Sequence, residues 1–186
     1  MGLDQSYYKE IQLRNGQLLT LRNPVVDDAE QMIAYLNTVG GETDNLSFGG
    51  GEFPLTVEEE REYLRKAQEN PNIFMVLGII DGEVVSLADI SSPSRKRLAH
   101  NSQIGISVRK DYWGLGIGTA VMHELIQFAK GTGRIRNISL GVKASNTRAI
   151  RLYERFGFVK VGVHKDFFNI NGVYDDEILM DLQIDL

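Results

Sequence analysis

At 186 residues and a formal net charge of −5, the chain has the size of one domain. Apolar residues make up 42% and charged residues 24%, the balance of a soluble globular protein with a real core rather than a disordered one. The acidic balance argues against a nucleic-acid surface, which needs a basic stripe to neutralise phosphates, and the absence of cysteine removes disulfides, thiolate nucleophiles and Cys-based metal sites together.

His100, His123 and His164 match no metal-ligand spacing, so no built-in metal is expected. The N-terminus lacks a basic-then-apolar leader, and no apolar run approaches the roughly 18 residues that span a bilayer. The expectation is a cytoplasmic enzyme or binding protein with no membrane and no nucleic-acid partner. Met1 to Ser6 fits the myristoylation pattern but has no polybasic second anchor. The sequons at Asn45 and Asn137 carry weight only in a secreted chain.

Ile11 to Leu13 and Leu18 to Leu21 surround Asn15-Gly16, which predicts an opening hairpin. Pro24 and Asp27-Asp28 mark a helix start, with Ala29, Met32, Ile33 and Leu36 as its buried stripe and Gly40-Gly41 as its stop. From Glu42 to Pro54 periodicity fails, and a loop of this length in a compact domain is more often functional than idle. Thr56 and Glu59 form a capping box that opens a charged helix to about Glu69. Phe74 to Ile80, the turn Asp81-Gly82 and Glu83 to Ile90 make a hairpin, and Leu98 to Val108 extends it as a third antiparallel strand. Arg95-Lys96-Arg97 reads as a solvated loop between strands.

Ile104 to Lys130 then reads as strand, glycine corner and helix. Ile117, Val121 and Leu125 lie four apart with Met122, Ile126 and Ala129 beside them, while His123, Glu124, Gln127 and Lys130 take the other side. Glycines at 114, 116 and 118 leave the free N–H groups of a first helical turn open to an anion. Neither Gly114 nor Gly116 starts a G-x-G-x-x-G dinucleotide fingerprint, since the third glycine falls on Thr119 or Val121, and there is no phosphate-loop motif. Gly131 and Gly133 end the helix, Ile138 to Val142 is a buried strand, and Asn146 to Phe156 a helix closed by Gly157. Val159 to Asn169 and Val173 to Leu182 flank the turn Asn171-Gly172. The order specifies an α/β domain with a mixed sheet, parallel where the Ile104 and Ile138 strands are joined through a helix.

On the helix after Asn146, residues Ala149, Leu152, Tyr153 and Phe156 fall at spacings of three and four, which sets Tyr153 beside the core stripe with its hydroxyl free at the sheet edge. The block Asn146, Ala149, Leu152, Tyr153, Gly157, Phe158 meets in full the pattern Asn-x-x-Ala-x-x-Leu-Tyr-x-x-x-Gly-Phe. Here the sequence resembles the GNAT acyltransferase superfamily, which moves acetyl from acetyl-coenzyme A to amines. Its corner pattern, Gln/Arg-x-x-Gly-x-Gly/Ala, falls on Trp113, Gly114, Leu115, Gly116, Ile117 and Gly118, with Trp113 departing from Gln or Arg and removing a polar contact to the pyrophosphate.

The resemblance implies one GNAT-like domain over residues 1–186, with a twisted mixed sheet of about seven strands flanked by about four helices. It implies acetyl-coenzyme A as co-substrate. Pantetheine lies along Ile106 and Val108 like an added strand, the amides from Gly114 to Thr119 hold the pyrophosphate, and Asn146, with Ala149 beside it, holds the pantetheine arm. Tyr153 is the implied general acid that protonates the departing thiolate. The acceptor is a small-molecule or peptide amine. Glu42, Asp44 and Phe48 lie in the loop where the family builds its acceptor pocket, and Glu52, His100 and Asp89 stand as candidate bases beside a water chain. A non-catalytic acyl-coenzyme A sensor and a mononucleotide-binding domain are the competing readings. A homodimer through the final strands stays open.

Overall fold

The computed structural model describes residues 7–185, so the Met1 to Ser6 pattern lies outside the described residues. Eight strands form one sheet in the order β1-β2-β3-β4-β5-β6-β8-β7. They are β1 Tyr8–Gln12, β2 Leu18–Arg22, β3 Ile73–Ile80, β4 Glu83–Ser91, β5 Asn101–Val108, β6 Asn137–Lys143, β7 Val159–Ile170 and β8 Val173–Gln183. The helices are α1 Ala29–Glu42, α2 Val57–Glu69, α3 Ile117–Gly131 and α4 Thr147–Arg155. Every pairing is antiparallel except that of β5 with β6. The parallel pair is joined through α3, as a crossover between parallel strands requires.

The sheet separates two cores. Along β3, Val76 packs with one cluster and its neighbours Met75 and Leu77 with the other, because successive strand residues face opposite sides. One cluster gathers Val121, Leu125, Ile138 and Met180 around α3, with α4 packed on it through Ala149 and Tyr153. The other holds Met32, Leu36 and Val39 of α1 and Leu64 of α2. The capping box forms, with Glu59 N–H donating to Thr56 Oγ1 at 3.3 Å and Thr56 N–H to Glu59 Oε2 at 2.8 Å.

Eight strands among the described residues accord with the expected sheet of about seven. Three sequence expectations are corrected. Gly40-Gly41 do not stop α1, which continues to Glu42: a Cβ on Gly40 would lie 2.6 Å from the Gly49 carbonyl oxygen and 2.9 Å from the Phe48 ring, so the glycine lets the following loop fold back onto the helix. The strand expected from Leu98 starts at Asn101, because Leu98 and Asn101 N–H close tight turns on Arg95 and Leu98 carbonyls. Glu124 is buried on α3 rather than solvated, and it is paired with Lys9 Nζ at 2.6 Å.

Gly40→Ala should therefore cost about 1–3 kcal/mol, the usual range for overpacking. Urea unfolding measures it, and a stability equal to the parent would show that the loop does not depend on this contact.

Candidate active site

Strands β5 and β6 pair only over Asn101–Gln103 with Asn137–Ser139. Beyond these three positions β5 stays bonded to β4 as far as Val108, and β6 stays bonded to β8 as far as Lys143. A gap therefore opens between them. Arg109 N–H donates to the Val85 carbonyl at 2.9 Å, and in an antiparallel ladder alternate residues turn their backbone groups to the same neighbour. Ser107 and Gly105 thus address β4, while the backbone groups of Ile104, Ile106 and Val108 point into the gap. The Val108 carbonyl is taken by Trp113 Nε1–H at 2.8 Å, which leaves free the Ile106 N–H and carbonyl and the Val108 N–H.

The corner after β5 depends on two glycines in left-handed backbone, Gly114 at φ +85° and Gly116 at φ +96°, a region that costs other residues energy. Gly118 does something else. It lies inside α3, where a Cβ would come 3.2 Å from Leu152 Cδ2, so it lets α4 pack closely on the first turn of α3. Leu115, Ile117 and Thr119 line the same turn, with Ile117 anchored in the core and Thr119 exposed.

Arg148, in the first turn of α4, escaped the sequence reading. Its guanidinium lies 5.2 Å from the centre of the Trp113 ring, Nη2 is 3.8 Å from where a Cβ of Gly114 would stand, and it forms no ion pair among the described residues. A free guanidinium over a glycine corner suits an anion. The departure at Trp113 was the available signal: a ring in place of a polar side chain invites a cation to stack on it, but nothing in the linear spacing names the partner.

Asn146 caps α4, its Oδ1 accepting from Ala149 N–H at 3.2 Å, which commits the oxygen and leaves the amide donor. Tyr153 packs against the core and the Phe158 ring, with centroids 5.9 Å apart. Its hydroxyl has no hydrogen-bond partner among the described residues, and burial pushes its pKa up to about 12. It stays a proton donor at neutral pH.

The acceptor candidates divide. Asp44, Phe48 and Glu52 line one cleft of about 400 Å³ together with Phe167 and Phe168 of β7. Glu52 is also tied to the loop through Gly49 N–H at 2.7 Å. Glu42 is elsewhere: its Oε2 accepts from Lys110 N–H at 2.7 Å and its Oε1 lies 3.5 Å from Arg109 Nε, so it fastens the end of α1 to the segment after β5. His100 precedes β5, at the end of that strand opposite the glycine corner, and is not brought to the gap. Asp89 of β4 is set beside Gly105. Among the described residues no group of three or more His, Cys, Asp or Glu is placed to hold a metal, and no helix is long and apolar enough to cross a membrane.

With this geometry in view, comparison with known proteins is direct. The sequence matches the acetyltransferase (GNAT) family over residues 43–158, and the chain belongs to that family. It is 32% identical to the L-amino acid N-acetyltransferase AaaT of Escherichia coli over 60% of this chain and 69% of that protein. The [ribosomal protein bS18]-alanine N-acetyltransferase of the same organism is 33% identical over 44% of this chain and 54% of its own length. Among solved structures, an acetyltransferase of the GNAT family from Streptococcus pneumoniae superposes with a TM-score of 0.85 at 32% identity, covering 89% of this chain and 99% of that one. The fold is shared at 18% identity and a TM-score of 0.77 by yncA from Salmonella typhimurium, described with its cofactor acetyl-CoA, over 90% of this chain and 95% of that one. The protein is thus a GNAT acyltransferase, a family that uses acetyl-coenzyme A.

Trp113 is the single tryptophan and lies at the corner, so it is a built-in reporter. Titration with coenzyme A should change its emission, and Arg148→Ala should weaken the apparent affinity about fivefold to tenfold, the worth of one charge-assisted contact. Emission unmoved by saturating coenzyme A would place the anion elsewhere.

Proposed function

We propose that this enzyme transfers acetyl from acetyl-coenzyme A to an amine of a small molecule or peptide by direct attack, in the cytoplasm, with Tyr153 as general acid. The observation that carries the proposal is the parting of β5 and β6, which leaves the gap-facing N–H and carbonyl of Ile106 and the N–H of Val108 free beside the glycine corner.

An extended, amide-bearing arm such as pantetheine can pair with that edge as an added strand. N–H groups at the start of α3 and the guanidinium of Arg148 suit the pyrophosphate beyond it. Asn146 keeps an amide donor for the arm. A β5 N–H directed into the gap can stabilise the oxyanion that forms on the carbonyl oxygen. Tyr153, held protonated by burial and packed on the core from α4, supplies the proton the thiolate needs on leaving.

The cleft of Asp44, Phe48, Glu52 and the β7 phenylalanines has acids and aromatic faces, a lining suited to a cationic amine. Two relatives are named for L-amino acid N-acetylation and for alanine N-acetylation of ribosomal protein bS18. Both acceptor kinds belong in the test.

Thiol release from acetyl-coenzyme A should require an added amine in a panel of spermidine, L-amino acids and an Ala-Gly-Gly amide peptide. Tight binding without release across the panel would favour a sensor. Tyr153→Phe should lower kcat by roughly 10²-fold or more, the scale of general acid catalysis, and an unchanged kcat would remove Tyr153 from that role.

A further inference from the structure

The two strands that flank the gap carry a glycine each on the same face. Ile104 and Ile106 of β5 and Ile138, Leu140 and Val142 of β6 pack toward α3, so Gly105 and Gly141 face the other side. That is the α1 side, since Ser107 of β5 bonds Tyr35 of α1 there at 2.9 Å. Both glycines are exposed. Over each of them leans a carboxylate from the next strand outward. Asp89 of β4 places Oδ1 2.9 Å from where a Cβ of Gly105 would stand, and Glu177 of β8 places Oε1 where a Cβ of Gly141 would collide with it. Side chains at these two positions would push the acids away; glycines let them reach the rims of the gap.

The two acids are held differently. Glu177 Oε2 is bonded to His164 Nδ1 at 2.8 Å. Asp89 has no hydrogen-bond partner among the described residues. Its surroundings are Met75 of β3, opposite it in register, Gly105 of β5, and Tyr63 of α2, whose ionisation is opposed by the charges of Asp89 and of Glu60 on the same helix. Across the gap the charged groups are Glu177, His164 and Lys143, the last opposite Glu177 in register.

We propose that the acceptor amine meets the acetyl group on the α1 face of the gap, bracketed by the two carboxylates, with Glu177 holding the ammonium and Asp89 taking its proton. The inference rests on the N-acetyltransferase reading above. A group lying against the edge of β5 sits roughly 5 Å from a side chain on the face of that strand, within direct or one-water reach of Asp89. The ammonium gives one proton to Asp89, which passes it to water. The freed nitrogen lone pair forms the C–N bond, the C–S bond breaks, and the sulfur takes the Tyr153 proton. The second proton of the nitrogen restores the tyrosine, so one proton leaves per turnover. Burial supports the role, holding the Asp89 carboxyl up at about 6, closer to working pH than an exposed acid.

The test uses whichever of spermidine and Ala-Gly-Gly amide releases thiol faster with the parent enzyme. Asp89→Asn should lower kcat/KM for the amine at least about 10²-fold at pH 7, lose the acid limb near pH 6, and recover as rising pH deprotonates the amine in solution. Glu177→Gln should raise KM for the amine about tenfold and keep that limb. Acetyl-coenzyme A binding, followed by Trp113 emission, should be unchanged in both. Parent-like amine kinetics in either variant, or loss of the limb in Glu177→Gln instead, overturns the assignment. A parent enzyme that releases no thiol with any amine refutes the transferase reading instead. An acceptor-free check remains: because the folded state raises the pKa, ionised Asp89 costs stability above pH 6 and not below pH 4. Asp89→Asn should then raise the melting temperature at pH 8 more than at pH 4, and equal shifts would count against a buried, unpartnered carboxylate.

Discussion

Three residue pairs of parallel ladder, Asn101–Gln103 against Asn137–Ser139, fix the geometry on which everything else depends. Were the pairing longer, the backbone groups of Ile104, Ile106 and Val108 would be consumed inside the sheet. Were it absent, β5 and β6 would not share a common start and the gap would have no apex. The strands can part without leaving the fold because each has a complete antiparallel neighbour, β4 for one and β8 for the other. Unsatisfied backbone groups are costly when buried, so an edge of this kind persists only where water or a ligand can reach it.

The corner shows how three glycines in one short run serve two needs. Gly114 and Gly116 supply left-handed backbone, and Gly118 supplies a close contact between two helices. The contact brings the first turn of α4 beside that of α3, and with it Arg148. Trp113 then closes the arrangement from both sides, its indole N–H on the Val108 carbonyl and its ring under the guanidinium. The residue that departs from the family pattern at this position thus recruits a cation instead of supplying a polar side chain.

Local chemistry made much of this legible. The capping box at Thr56, the Asp81-Gly82 and Asn171-Gly172 turns with positive φ at both residues, and the left-handed Gly157 closing α4 are all short-range signals, and each sits where its residues place it. The Gly40-Gly41 pair misled because its function is set by Phe48 and Gly49, which pack on it from the following loop. Glu124 misled because helical periodicity reports a face, not a partner, and Lys9 lies at the other end of the chain. Arg148, Gly105, Gly141 and Glu177 were invisible for the same reason: their meaning arises between strands and helices far apart in sequence. Of the proposed acceptor residues, Asp44, Phe48 and Glu52 share a cleft, while Glu42 fastens the end of α1 and His100 belongs to the far end of β5.

The sheet keeps two hydrophobic clusters apart, one under the glycine corner and α4, the other under α1 and α2. The glycine corner and α4 are rooted in the first, and Phe48 of the proposed amine cleft packs on the second. Substitutions that repack one cluster need not disturb the other, since distant, unshared contacts act nearly independently. A lineage built on this plan can change what it acetylates by drift in α1, α2 and their loop while its donor site stays intact, and the barrier it must not cross is the short ladder at the apex.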